Sequence, residues 1–231
     1  MPLIVCSPSN LAQFQTCPLK FYGQRSKMMP WKETPQKKRG TEVHATLEKA
    51  LNEGVQAVPV WPDGIKEMYT LTVLQRLKAI KDAGATLYTE HEMCVTPEFK
   101  ATDWWDEFAL LRAKADLLLV VPGVSALLGD WKTGRIYEGM DFQLRTEALL
   151  VHVLYGVPVV NWSLFYVDQG QTKSGSVDFS KGIAPVQDVL DLIRVVQKTV
   201  GMGGPFYPKK NKFCKWCDWY HTEYCEESKK W

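Results

Sequence analysis

Residues 115–134 read ADLLLVVPGVSALLGDWKTG. Two apolar runs of strand length flank the turn signal Val121-Pro122-Gly123-Val124, which predicts a β-hairpin inside a core. The charges gather at the open end of that hairpin. Asp116 begins the first run, and Asp130 and Lys132 flank Trp131 at the end of the second. Side chains two residues apart share a strand face. Asp130 and Lys132 therefore project together while Trp131 turns the other way into packing. Folding back at residues 122–123 sets Asp116 across from Asp130.

Two carboxylates brought that close repel each other and are costly to bury unless a cation stands between them. A hard divalent ion with oxygen ligands, Mg²⁺ or Mn²⁺, meets that need. Such an ion activates a water, and a lysine beside it can orient or deprotonate that water and offset developing negative charge. Taken alone, the Asp-x-Lys pattern describes a structural ion pair at a strand end equally well, with Asp116 simply solvated.

Working outward, the apolar period is two over residues 86–95, 107–121 and 124–132, which predicts strands. A helix is expected over 140–155, then a strand over 157–167, a short strand near 174–179 and a helix over 186–200. Upstream, Met68, Leu71, Leu74, Leu77 and Ile80 recur at helical spacing between Ile65 and Asp82. Residues 7–25 read as a short helix interrupted by Pro18, and 30–40 as a basic loop. A helix over Thr41–Asn52 follows, with Thr41 as its cap and Gly54 just past its end. No internal repeat is visible. The order points to a mixed α/β fold with a central sheet covered by helices.

The 231 residues suffice for one substantial domain. With 45% hydrophobic and 23% charged residues, the composition is that of an ordinary globular chain. A net charge of +2 does not by itself announce a polyanionic partner, so any such partner must be argued from local clusters. No apolar run reaches the roughly 18–20 residues that span a bilayer, and the amino terminus lacks the basic region of a signal peptide. The expectation is a cytoplasmic protein with reduced thiols.

Three of the six cysteines crowd the tail, in FCKWCDWYHTEYC at 213–225. Cys214, Cys217 and Cys225 can wrap one metal centre, which then needs a fourth ligand; His221 could complete a zinc site. Cys6 and Cys94 lie on apolar stretches and read as core residues. The densest basic segments are KETPQKKR at 32–39 and PKKNKFCKW at 208–216. Lys37, Lys38, Arg39, Lys209, Lys210 and Lys212 could hold phosphates without reading sequence, and Trp31, Trp104, Trp105 and Trp216 could stack on unpaired bases. Both segments also read as plain solvated surface.

The segments SPSNLAQFQTCPLKFY (7–22), GTEVHATLEKAL (40–51), the opening hairpin, FQLRTEALL (142–150) and the cysteine cluster occur in that order. Together they resemble the RecB-like branch of the PD-(D/E)xK nucleases. The iron–sulfur members are nearest in layout: AddB-type nuclease domains, the small nuclease of CRISPR adaptation systems, and phage recombination exonucleases.

The resemblance implies a restriction-endonuclease-like mixed sheet in a single nuclease domain over 1–231. The core spans about 41–203, and 1–40 with 204–231 form a cysteine-ligated clasp. His44, Asp116 and Asp130 would be metal ligands, with the backbone carbonyl of Trp131 completing the shell. Lys132 would be the catalytic lysine, and Gln143 would orient that lysine or the scissile phosphate. An extra acidic ligand is expected on the preceding strand, Glu90 in preference to Glu92. Cys17 would join Cys214, Cys217 and Cys225 around a [4Fe–4S] cluster, with structural Zn²⁺ as the alternative.

The implied activity is a Mg²⁺- or Mn²⁺-dependent DNA exonuclease in recombination, repair or phage DNA processing, with recombination or replication proteins as its implied partners. A non-catalytic DNA-binding or assembly subunit that kept the fold is the alternative. Two departures stand out. Glu147 occupies a place where the family often has tyrosine, and the stretch holding EFKATDWWDEF (98–108) is long enough for an extended hairpin.

Overall fold

A computed structural model of the chain describes residues 4–29, 33–136 and 141–230. Three helices come first: α1 (Pro8–Thr16), α2 (Pro18–Arg25) and α3 (Pro35–Glu53). Helix α4 (Glu67–Asp82) leads into strands β1 (Thr86–Val95), β2 (Leu111–Val121) and β3 (Ser125–Lys132). Helix α5 (Asp141–Tyr155) crosses to β4 (Val159–Tyr166) and β5 (Gln171–Asp178), and α6 (Gln187–Gly201) precedes an irregular tail. The strands form one sheet in chain order. All neighbours are antiparallel except β3 and β4, which α5 connects as a parallel pair. This is the expected mixed architecture.

Pro18 ends α1 and opens α2 at its first position, where its missing N–H costs nothing. Ser7 and Asn10 cap α1 reciprocally, side chain to backbone in both directions. The expected start of α3 is corrected: the helix begins at Pro35, not Thr41. Thr34 Oγ1 accepts from the Lys37 N–H at 3.3 Å, and Pro35 presets the first turn. Thr41 is interior, its hydroxyl donating back to the Lys37 carbonyl. The basic residues Lys37, Lys38 and Arg39 therefore stand on a helix. Strand β2 starts at Leu111, later than expected. The 98–108 stretch forms turns with an isolated bridge, Val95 to Ala101, in place of an extended hairpin.

The sheet separates two apolar clusters. On one side α1, α5 and α6 bring Leu11, Phe14, Leu144, Ala148, Val189 and Ile193 onto Leu118, Leu128, Val160 and Leu164. On the other, Val43 and Leu47 of α3 and Val73 and Leu77 of α4 cover Leu117, Leu119, Trp131 and Phe165. Each fully buried leucine contributes roughly 1.5–3 kcal/mol. Gly129 is required by this packing, since a Cβ there would meet Leu117 Cδ2 at 2.6 Å and Phe165 Cε2 at 2.9 Å. Cys6 and Cys94 are buried, as expected, and burial pushes the Cys6 thiol up to about 12.

The alternation along β1 and β2 slips at one rung. Ala113 and Ala115 face the α5 side, and so do Leu118 and Val120. In β1, Tyr88 faces that side and so do Met93 and Val95. The slip falls at Glu90 and Asp116, which are absent from the ladder between Thr89↔Leu117 and His91↔Ala115. Glu90 has φ +47°, a left-handed conformation that interrupts the pleat. The β2–β3 register, Leu117↔Gly129, continues towards Asp116 facing Asp130 as the hairpin predicts.

The tail folds back on the amino-terminal helices. Leu19 N–H donates to the Tyr207 carbonyl, Asn211 Nδ2 to the Thr16 carbonyl and Lys209 Nζ to the Gln15 carbonyl. Trp219 packs with Met29 and Cys225, its ring seated on Gly23 where a Cβ would overlap it. No described helix is long and apolar enough to cross a membrane.

Candidate metal centre

The site is assembled at the interrupted rung. Helix α3 carries His44, β1 carries Glu90 and β2 carries Asp116. One ligand atom from each lies within 4.8 Å of the others. His44 Nε2 donates to the Trp131 carbonyl at 2.8 Å, and His44 Nδ1 lies 3.3 Å from Asp116 Oδ2. The same Asp116 oxygen accepts from the Trp131 N–H at 2.9 Å, where a regular strand would offer a carbonyl. A cavity of about 520 Å³ opens over the group, lined by Lys37, Thr41, His44, Glu48, Glu90 and Asp116 among others.

Glu90, not the exposed Glu92, reaches the cluster. The positive φ decides this, because it ends the alternation that would have made the two glutamates equivalent. Lys114 Nζ sits 2.7 Å from Glu90 Oε2 and neutralises it.

Asp130 borders the group without joining it. Its Oδ2 is 2.6 Å from Lys132 Nζ, and its Oδ1 accepts from Gln143 Nε2 at 3.1 Å. Asp130 Oδ2 is buried, and among the described residues its close neighbour is the Lys132 ammonium. Two carboxylates, an imidazole, a backbone carbonyl and this under-used buried oxygen form a donor set suited to a hard divalent cation.

The electrostatics reflect crowding of acids. Burial pushes Asp130 up to about 6, assisted by Asp116 and opposed by Lys132. Burial disfavours the His44 imidazolium, but the hydrogen bond and charge of Asp116, together with Asp130 and the Trp131 carbonyl, outweigh it and hold His44 above 6.5.

Glu147 is the residue that sequence reasoning set aside as a mere departure. It is 2% exposed on the inner face of α5 and accepts from Gln143 Nε2 at 3.0 Å. The Gln143 amide thus donates to Glu147 and to Asp130 at once. Burial, then the charge of Asp130, pushes Glu147 up to about 8, so it is protonated at neutral pH. The available signal was an acid one helical turn past Gln143 on an apolar face.

Cys17, Cys214, Cys217 and Cys225 all line a second cavity of about 250 Å³, between α1, α2 and the tail. His221 is not on its wall. Among the described residues no three of these thiols lie within 4.8 Å of one another. Four thiolates on a single zinc, at about 2.3 Å each, would be closer than that. Burial raises the Cys217 thiol, outweighing the Trp219 backbone hydrogen bond and the charge of Lys20.

The two basic segments serve different openings. Lys37 lines the cavity over the metal centre, and Lys209 lines the cysteine cavity. Arg39 is committed elsewhere, gripping both carboxylate oxygens of Asp168 at 2.7 and 2.8 Å and the Asp63 carbonyl. Trp104 and Trp105 stack on Arg112, and Trp31 lies outside the described residues.

A model of the PD-(D/E)XK nuclease superfamily matches residues 5–225. The crystal structure of SSO0001 aligns with 93% of this chain and 83% of its own, at 13% identity and a TM-score of 0.44. No curated protein matches the sequence.

Proposed function

We propose, because the chain belongs to the PD-(D/E)XK nuclease superfamily, that it is a metal-dependent deoxyribonuclease acting on DNA ends or single strands. The observation that carries this reading is the convergence of His44, Glu90 and Asp116 within 4.8 Å, beside an Asp130–Lys132 pair. His44, Glu90, Asp116, Asp130 and the Trp131 carbonyl would hold Mg²⁺ or Mn²⁺, which when bound supplies an activated water and neutralises developing phosphate charge.

The chain's own groups do the rest. Lys132 Nζ, as an ammonium, orients the attacking water and faces the charge that grows on the phosphate. Asp130 holds that ammonium in place. Gln143 positions Asp130, and neutral Glu147 fixes the Gln143 amide. Lys37, Lys38, Lys209, Lys210 and Lys212 supply sequence-independent phosphate contacts. The work of such an enzyme is DNA recombination, repair or phage DNA processing in the cytoplasm.

The four cysteines hold a [4Fe–4S] cluster that clasps the tail to the amino-terminal helices. The shared cavity of Cys17, Cys214, Cys217 and Cys225 supports a common centre for the four. Iron and acid-labile sulfide analysis after anaerobic purification tests it, and stoichiometric zinc without iron would reject it.

The main test is incubation with 5′- and 3′-labelled single- and double-stranded DNA, with and without Mg²⁺. Cleavage that requires the metal and vanishes in Asp130→Ala and Lys132→Ala, with DNA binding retained, is expected. Binding without cleavage by the wild-type protein would instead identify a DNA-binding subunit.

A further inference from the structure

Away from the metal centre, four cations and two aromatic rings converge on an opening of about 650 Å³. They come from three separate segments. Lys20 lies on α2, Arg135 follows Lys132 by three residues, and Lys212, Phe213, Lys215 and Trp216 belong to the cysteine-rich tail. Phe213 is 44% exposed and Trp216 68%. Their ring centres are 6.5 Å apart. Lys215 Nζ stands 4.2 Å from the Trp216 ring centre, and Lys212 Nζ stands 5.2 Å from that of Phe213.

Among the described residues no acid lines this opening. Among the described residues none of the four cations has a carboxylate partner, whereas Arg39, Lys114, Lys132, Arg145 and Arg194 each do. Lys20 and Phe213 also border the cysteine cavity, so the patch adjoins it. Arg135 ties the opposite wall to the end of β3.

Uncompensated positive charge beside exposed ring faces fits a polyanion that carries flat apolar faces along its length. Duplex DNA offers the phosphates but hides the base faces. An acidic peptide would neutralise the cations and leave the rings unused. We propose that Lys20, Arg135, Lys212, Lys215, Phe213 and Trp216 form a subsite for an unpaired stretch of DNA. Phosphates lie on the cations and bases stack on Phe213 and Trp216. The choice of DNA rests on the nuclease reading above. Arg135 makes the subsite continuous with the strand end that bears Lys132, so an unpaired strand passes from the metal centre over the tail.

The test is fluorescence anisotropy of labelled oligothymidylate with the full chain in chelator, so that nothing is cut, alongside a closed duplex hairpin. Trp216→Ala should weaken oligothymidylate binding about tenfold and leave the duplex unchanged. Arg135→Gln should lower the slope of log affinity against log salt by about 0.7. Both positions are exposed, and unchanged melting temperatures check that the fold is kept. Wild-type oligothymidylate affinity in Trp216→Ala with an unaltered salt slope in Arg135→Gln overturns the subsite. Equal losses on the duplex overturn its preference for unpaired strands, and tighter binding of oligouridylate overturns the assignment to DNA. If these sensitivities appear but Mg²⁺ brings no cleavage, the nuclease reading fails and the subsite stands. Cleavage without the sensitivities has the opposite meaning.

Discussion

Replacing Glu147 with glutamine should stabilise the protein, by an amount that depends on pH. In the folded chain burial holds the Glu147 carboxyl at about 8, against 4.5 when exposed. Between those two pH values the folded state binds a proton that the unfolded state has released. Stability is therefore fully present below 4.5 and declines as pH rises towards 8, at about 1.4 kcal/mol per pH unit. At pH 7 the accumulated cost is about 3 kcal/mol, and at pH 5 it is under about 1 kcal/mol. Glutamine cannot ionise, keeps the shape, and still offers an oxygen to Gln143 Nε2. Glu147→Gln should thus gain roughly 2.5 kcal/mol on wild type between pH 5 and pH 7, or about 5–10 °C in melting temperature for a chain of this length. Urea and thermal melts by tryptophan fluorescence, in chelator at pH 5, 6, 7 and 8, measure the difference. Parallel curves for the two proteins across that range would refute the reasoning, because they would mean Glu147 is already ionised in the folded state at neutral pH.

Two further outcomes follow from the geometry. Glu90→Gln removes one charged donor from the interrupted rung and should weaken Mn²⁺ binding by roughly tenfold or more in titration calorimetry; an unchanged affinity would take Glu90 out of the ligand set. Gly23→Ala is a helix-interior change that would ordinarily add about 1 kcal/mol of helix stability. Here it should instead push the Trp219 ring away and speed tryptic cleavage in 208–216, and an unaltered digestion rate would show that the tail is held elsewhere.

The hairpin at 115–134 was legible because period-two alternation and a Pro-Gly turn leave little choice of register, and register places Asp116 by Asp130. The helix carrying His44 was legible from its apolar stripe, but its start was not. Thr34 followed by Pro35 is a stronger helix opening than Thr41 within a continuing stripe, and the basic composition of 32–39 masked it. The pairing of Arg39 with Asp168 joins residues far apart in the chain, and no local pattern signals it. The choice between Glu90 and Glu92 was undecidable from alternation, since the strand departs from alternation at that residue.

By itself the sequence determined which residue types are available, their order, and the local periods that make the strands and helices, because those depend on neighbours within a few positions. Only the tertiary structure decided which donors meet. Strand slip at one rung turned Glu90 and Asp116 towards His44, and the packing of α5 onto the sheet buried Glu147 and brought Gln143 to Asp130. Distances, burial and the resulting proton affinities arise between segments that are remote along the chain, and they exist only once the two apolar clusters have closed around the sheet.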